Sequence, residues 1–301
     1  MKVLVTGASG MIGRSLSDAL FARGDEVIGL SRDPGRARAA NPRVEWVRWE
    51  PTLERPPAAA FAGVEGVVNL AGESIAQRWS ADAKRRILES RRTGTRNLVQ
   101  AIEGLERRPA VLVSQSAIGF YGNRGEEALD EGSAAGTGFD SEVVREWEQA
   151  ARPVESAGVR LVIVRTGHVL DPRGGFLGEL LPPFRLGLGG PLAGGAQYVS
   201  WIHRDDEVGI LLWALDTDAV TGVVNATAPE PATNRELSKQ LGRALGRPAV
   251  VPVPGFVLDL RFGPEFGRVA RGGQRVLPRR TQELGYRFAH PRLDEALGDL
   301  L

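Results

Sequence analysis

An α/β fold, with a doubly wound parallel sheet and a smaller C-terminal lobe, is the class this 301-residue chain predicts. Three observations predict it. Apolar runs of strand length alternate with amphipathic helical segments through the first half. A turn spaced by Gly7, Gly10 and Gly13 follows the first run and opens the first helix. From about His168 the texture changes to Gly- and Pro-rich loops. Strand and helix in alternation give a parallel sheet covered on both faces, because each crossover lays a helix back on the sheet.

In order, "KVLVTG" reads as a strand and Ile12 to Arg23 as a helix; "EVIGLS", "VEWVRW" and "GVVNLAG" are strands. Asp82 to Leu105 is a helix, "AVLVSQS" a strand, Glu142 to Ser156 a helix and "VRLVIVRTG" a strand. Beyond the loops "DPRGGF" and "LGLGGPLAGG" come a helix near Arg204 to Asp216, the strand "GVVNATA" and a helix near Asn234 to Gly246. This divides the chain into residues 1–167 and a loop-built substrate lobe, residues 168–301, with the chain free to cross between them. The second lobe is expected to face the strand ends, where such sheets bind ligands.

Composition narrows the function. Acidic and basic residues number 37 and 38, a net charge of +1, so no global basic field exists to hold nucleic acid or an anionic membrane. With no cysteine, disulfides, thiolate nucleophiles and thiolate metal sites are excluded. The longest apolar runs, such as "GILLWAL", fall well short of the roughly 20 residues that span a bilayer. No signal-peptide pattern precedes Lys2, and a soluble cytoplasmic protein with a small-molecule substrate is expected. Oligomeric state leaves no mark in the sequence.

The glycine turn carries the strongest motif. GxxGxxG between strand and helix lets the backbone bend sharply, brings its amides close to a pyrophosphate, and packs the helix start on the strand. Arg32 stands just past the second strand, nineteen residues after Gly13. An acid there would bind the ribose hydroxyls of NAD and repel a 2′-phosphate, whereas guanidinium is a rigid fork of donors suited to phosphate. NADP(H) is therefore the expected cofactor; Asp33 is the counter-evidence.

"TGASG" in this setting resembles the short-chain dehydrogenase/reductase superfamily. The segments "VVNLAGESIAQRWSADAKRRILESRRTGTRNLV", "SAIGFYG", "WIHRDDEVGIL", "NATAPEP" and the tail "QRVLPRRTQELGYRFAHPRLDEALGDLL" resemble its atypical extended branch, the NAD-dependent epimerase/dehydratase-like or nucleoside-diphosphate-sugar epimerase-like proteins. The tail is similar to the small C-terminal domain of unknown function found in that branch. The resemblance covers essentially the whole chain and implies a Rossmann-type NADP-binding domain plus a substrate lobe.

It also implies site residues. Gly7, Ser9, Gly10, Met11, Ile12 and Gly13 would hold the pyrophosphate, and Arg32 the 2′-phosphate. Leu70, Ala71 and Gly72 would lie beside the ribose, with Glu73 toward the pocket mouth. Ser90 and Arg91 belong to a cofactor-facing helix, Ser114 to Ser116 end the fifth strand where the superfamily keeps its catalytic Ser or Thr, and Gly167 and Val169 would flank the nicotinamide.

One expected element is missing. The superfamily's acid/base is a Tyr helped by a Lys four residues later. The three tyrosines, Tyr121, Tyr198 and Tyr286, have Gly125, Ile202 and His290 at that offset, and lysine occurs only at Lys2, Lys84 and Lys239. The helix that should carry the pair reads "GFDSEVVREWEQAA", with Phe139 or Asp140 in the tyrosine position. Ser116 to polarise the reacting oxygen and Tyr121 to move the proton are the candidate substitutes; the other reading of Tyr121 is an aromatic "YG" turn used for packing or for nucleotide-sugar contact. His203 in "WIHRDD" is a further titratable candidate, and otherwise a structural histidine. Asp205 and Asp206 are expected to cap the next helix. With no His–carboxylate cluster at ligand spacing, no metal site is expected. Two functions stay open: an NADP(H)-dependent oxidoreductase or epimerase-like enzyme for a small polar or sugar-like substrate, and a non-catalytic NADP(H)-binding regulatory protein.

Overall fold

The computed structural model describes all of residues 1–301. The first half runs β1 (Lys2–Thr6), α1 (Met11–Ala22), β2 (Glu26–Ser31), α2 (Pro34–Ala40), β3 (Glu45–Arg48), β4 (Gly66–Asn69), α3 (Ala81–Glu103), β5 (Val111–Ala117), β6 (Ala128–Leu129), α4 (Phe139–Ala151) and β7 (Arg160–Thr166). The second half runs β8 (His168–Leu170), α5 (Gly175–Arg185), β9 (Tyr198–Val199), β10 (Trp201–His203), α6 (Arg204–Asp216), β11 (Gly222–Ala226), β12 (Ala232–Thr233) and α7 (Asn234–Ala244). It closes with α8 (Gly255–Phe262), α9 (Pro264–Arg271), β13 (Arg275–Val276), α10 (Arg279–Glu283) and α11 (Leu293–Leu300).

Seven strands form one parallel sheet in the order β11-β7-β5-β4-β1-β2-β3. Order reverses between β1 and β4, which opens a crevice beyond their C-terminal ends. Period-2 alternation sorts the side chains. Val3, Val5, Val113, Val162 and Val164 face α1 and α6, while Leu4, Leu112, Leu161 and Ile163 face α3. All are fully or almost fully buried, so a one-residue slip of any strand would exchange its two core faces.

The second half does not stay on one side of the boundary. β11 completes the sheet beside β7, and α6 packs on α1. The remaining segments build a smaller core around Leu177, Phe184, Trp201, Leu241 and Leu297, where α11 packs on α7. Where the Gly- and Pro-rich texture after His168 predicts loops, residues Gly175–Arg185 form α5 with Pro182 and Pro183 inside it. They fall near its end, where Leu177, Leu181 and Phe184 keep an apolar stripe against the small core. No helix is long and apolar enough to cross a membrane.

Truncating Leu297, which is fully buried, to Ala is expected to cost about 2–5 kcal/mol. Leu260→Ala, at a residue 77% exposed, should change stability by no more than about 0.5 kcal/mol. Urea unfolding of the two variants measures the contrast, and equal losses would contradict this packing.

Candidate nucleotide-binding site

Gly7 has φ +67°, and a Cβ there would stand 3.0 Å from the carbonyl carbon and oxygen of Leu70. At Gly13 a Cβ would stand 2.6 Å from the Ala8 Cα. The two glycines therefore let the turn after β1 touch the loop after β4 and let α1 start directly against the strand. Thr6 holds the same junction from below. Its hydroxyl donates to Asn69 Oδ1 at 2.7 Å and accepts the Leu70 and Ala71 amides at 3.0 and 3.1 Å. Asn69 in turn donates to Thr95 at 3.0 Å and to Ser114 at 3.4 Å.

α1 begins at Gly10 with no side-chain cap and no acidic residue in its first turn. By contrast α3, α6 and α7 are capped by Ser80, His203 and Thr233. Uncapped amides and the positive end of the helix dipole make an anion site. Ser9 and Gly10 are exposed there; Met11 and Ile12 are half-buried, and Met11 faces Gly174 and Gly175 across the crevice. At the end of β2, Arg32 is exposed and forms no ion pair. The neighbouring Asp33 is occupied: its carboxylate accepts the Arg36 amide at 3.0 Å as the N-cap of α2.

The loop after β4 is pinned to α3. The Glu73 amide donates to Ser90 Oγ at 3.0 Å, and Arg91 donates to the Glu73 carbonyl at 2.9 Å. Gly72 gives the guanidinium room, since a Cβ there would stand 2.9 Å from its central carbon. Arg91 lies 4.9 Å over the Trp147 ring, and burial lowers its pKa to about 10. Gly167 ends β7 under close packing, with the Thr227 methyl 2.9 Å from where its Cβ would be, and Val169 is buried on β8.

Ser116 and Tyr121 are placed differently from expectation. Ser116 is buried and donates to Glu148 Oε1 at 2.7 Å. Glu148 also binds Arg165 through both oxygens, at 2.8 and 2.9 Å. Tyr121 is fully buried; its hydroxyl donates to Asn225 Oδ1 at 2.7 Å and accepts from Arg165 at 3.1 Å. Burial pushes its pKa up to about 12. The geometry corrects the expectation of a free Tyr121 proton carrier at the cleft: its hydrogen is committed to Asn225 and its ring is sealed from solvent. Ser114 likewise faces the buried Asn69.

Sequence reasoning missed Glu148, Arg165 and Asn225. One signal was present, an arginine inside the otherwise apolar run "LVIVRT", since a buried guanidinium needs a partner. It also missed Glu207 on α6, fully buried with Oε1 accepting from Thr166 at 2.8 Å and Oε2 unpartnered. Burial raises this carboxyl from 4.5 to about 8.

His203, Asp205, His290 and Asp299, far apart in sequence, come together with ligand-type atoms within 4.8 Å of one another, so the expectation of no His–carboxylate cluster is corrected. The tautomer argues against a metal cage. Nδ1 of His203 accepts the Asp205 amide at 3.0 Å and thereby caps α6, which leaves the proton on Nε2, 3.2 Å from Asp299. Burial, the largest influence, and the stacked His290 hold the His203 pKa below its ordinary value. The expected capping role of Asp205 and Asp206 passes to His203, and the buried Asp206 instead accepts the Ala289 and His290 amides at 2.8 and 2.9 Å.

Replacing Tyr121 with Phe should cost about 1–3 kcal/mol, because Asn225 and Arg165 each lose a buried partner. Thermal unfolding with a parallel cofactor titration checks it, with dinucleotide affinity changing less than about twofold. For Glu207 the sign follows from its raised pKa. The native state holds its proton more tightly than the unfolded chain, so its contribution falls as pH rises from about 4.5 through about 8. Glu207→Gln, which keeps an acceptor for Thr166, should gain stability relative to the unmodified protein across that window. Parallel denaturation curves at pH 5 and pH 8.5 would contradict this account.

Comparison with known proteins agrees with this geometry. Residues 3–226 match the model of the NAD dependent epimerase/dehydratase family, and residues 253–300 match a domain of unknown function, DUF1731. An epimerase family protein of Mycobacterium tuberculosis, MT2273, is 39% identical over 98% of this chain and 96% of its own length. The crystal structure of human epimerase family protein SDR39U1 (isoform 2) with NADPH is 38% identical, covers 100% of this chain and 99% of its own, and superposes with a TM-score of 0.91. A nucleoside-diphosphate sugar epimerase from Corynebacterium glutamicum is 31% identical with a TM-score of 0.80; the match covers 100% of this chain and 58% of that longer one. With the sheet order, the glycine turn and the tail all in agreement, the chain belongs to the NAD-dependent epimerase/dehydratase family.

Proposed function

We propose that this protein is an NADP(H)-dependent oxidoreductase or epimerase-like enzyme acting on a small polar or sugar-like substrate. One observation carries the cofactor assignment: the uncapped, acid-free start of α1 at Gly10 lies at the sheet's reversal point, with Arg32 free and Asp33 engaged as the N-cap of α2. The residues present fit the dinucleotide. The α1 amides at Gly10 to Ile12 would hold the pyrophosphate, Leu70 to Gly72 would line the ribose, and Arg32 would pair with the 2′-phosphate. Ser90 and Arg91 keep the Glu73 loop in place beside it. Gly167 and Val169 would flank the nicotinamide. The human relative, crystallised with NADPH, supports the same cofactor here. Bound in this crevice, NADP(H) would supply or take up a hydride.

A second reading, a non-catalytic NADP(H)-binding regulatory protein, is favoured by the closure of Ser116 and Tyr121 in a buried network. Following NADPH fluorescence with carbonyl compounds and nucleotide sugars separates the two. Decay supports the enzyme; tight binding without decay across the series supports the regulatory protein.

Tighter binding of NADPH than of NADH is expected, with Arg32→Ala removing most of the gap. One charge-assisted phosphate contact contributes about 1.5–3 kcal/mol, or roughly tenfold or more. Gly10→Val, which fills the approach to the α1 amides, should abolish binding of both while leaving the circular dichroism spectrum intact. Equal affinities for the two nucleotides in the unmodified protein would remove the assignment of Arg32.

A further inference from the structure

A cavity of about 240 Å³ opens between the start of α4 and α9, and none of the roles above uses it. Its walls include Trp79 from the loop before α3, Phe139 and Asp140 from the first turn of α4, Arg268 from α9 and Asn123 from the loop after β5. The apolar wall is fixed: Trp79 meets Phe139 edge to face at 4.9 Å, and Phe266 of α9 backs Trp79 at 5.4 Å.

Several polar groups on the other walls keep bonding capacity to spare, although Glu265 among them is paired with Lys84. Asp140 is 6% exposed and meets only main-chain amides of its own helix turn, and burial raises its pKa. It occupies a position where the superfamily pattern calls for the proton-carrying tyrosine. Asn123 spends its carbonyl oxygen on the Gly125 and Gly273 amides, which leaves its NH2 free. Arg268 forms no ion pair, whereas Lys84 pairs with Glu265, Arg261 with Glu179 and Arg271 with Asp259. Arg268 is the one cation on the lining, and of the two carboxyls there Glu265 is already paired with Lys84 while Asp140 is buried; with the aromatic wall they make a binding site with a charge preference.

Volume limits what enters. The cavity has room for one substituted ring, since a space of about 150 Å³ already holds a benzene.

We propose that this cavity is the substrate site and that it takes a compact organic oxyanion, a carboxylate or phosphate, which also bears a hydroxyl and a ring or apolar face. The charged group pairs with Arg268, the ring lies on Trp79 and Phe139, and the hydroxyl hydrogen-bonds to Asp140. This rests on the reading of the chain as an NADP(H)-binding enzyme, and it assigns substrate selection to α9, in the region that matches the domain of unknown function.

Calorimetric titration of the NADPH-loaded protein with mandelate, phenyl phosphate and uncharged benzyl alcohol tests it. At least one oxyanion should bind with Kd at or below about 1 mM. Arg268→Ala, at an exposed position, should weaken that oxyanion about tenfold or more and leave benzyl alcohol unchanged. If mandelate is the one that binds, Asp140→Asn should alter its affinity, while phenyl phosphate, which lacks a hydroxyl, should be insensitive. The stronger oxyanion identifies carboxylate or phosphate as the natural charge. NADPH affinity is measured on every variant and should not move with Arg268→Ala. If the unmodified protein failed to bind NADPH, the cofactor reading would fall, and the oxyanion titration would be judged on the nucleotide-free protein. Absence of saturation by both oxyanions, or wild-type binding by Arg268→Ala, overturns the proposal.

Discussion

The buried pair between Glu148 and Arg165 is the interaction around which the middle of this protein is arranged. Both side chains are only 4% exposed, and two charges in that setting are tolerated only when every lone pair and proton finds a partner. The surroundings supply them. Ser116 on β5 donates to the carboxylate, Tyr121 accepts from the guanidinium, and the Phe120 ring lies 3.3 Å from the guanidinium carbon. Through Tyr121 and Asn225 the network reaches β11 and the Leu277 carbonyl, so it joins β5, β7, α4, β11 and the C-terminal segment. Removing one charge would strand the other, at a cost of about 3–5 kcal/mol.

That arrangement explains what became of the strand-end Ser and the aromatic turn. In a fold that presents ligands at strand C-termini, residues such as Ser116 and Tyr121 are placed to meet them. Here their hydrogens point inward to Glu148 and Asn225. The neighbouring strand ends carry a second closed network, from Thr6 through Asn69 to Thr95 and Ser114, which supports the glycine turn. Polar groups that read as chemistry in the sequence thus serve as the floor of the crevice. The groups left open lie elsewhere: the α1 amides and Arg32 after the strands β1 and β2, and Asp140 and Arg268 at the cavity between α4 and α9.

The C-terminal segment is part of this architecture. Asp206, buried in the first turn of α6, accepts two amides of the tail and the Tyr286 hydroxyl, and His203 caps the same helix while facing Asp299 of α11. Glu131 accepts from the Asn225 and Arg280 amides, tying the loop after β6 to β11 and α10. α9 itself is held by the Lys84–Glu265 ion pair and by Phe266 against Trp79, so this segment too forms a wall of the cavity beside α4.

The alternation of strands and helices, the cradle at Gly7, Gly10 and Gly13 and the exposed cation at Arg32 were legible in the sequence, because each is a local property. A period of two or 3.6 residues, or a backbone bend only glycine permits, is written within a few positions. What tertiary structure alone decided depends on partners far along the chain. Tyr121 meets Asn225 across 104 residues, and no local pattern announces that its hydroxyl will be buried and bound. α5 lies in a Gly- and Pro-rich stretch that reads as loop, and His203 and His290, 87 residues apart, stack where Asp206 holds the tail against α6. The sequence by itself determined the class of fold and the glycine turn that opens α1. Which polar side chains face a ligand and which face each other was settled by long-range packing, because burying a charge obliges distant residues to satisfy it.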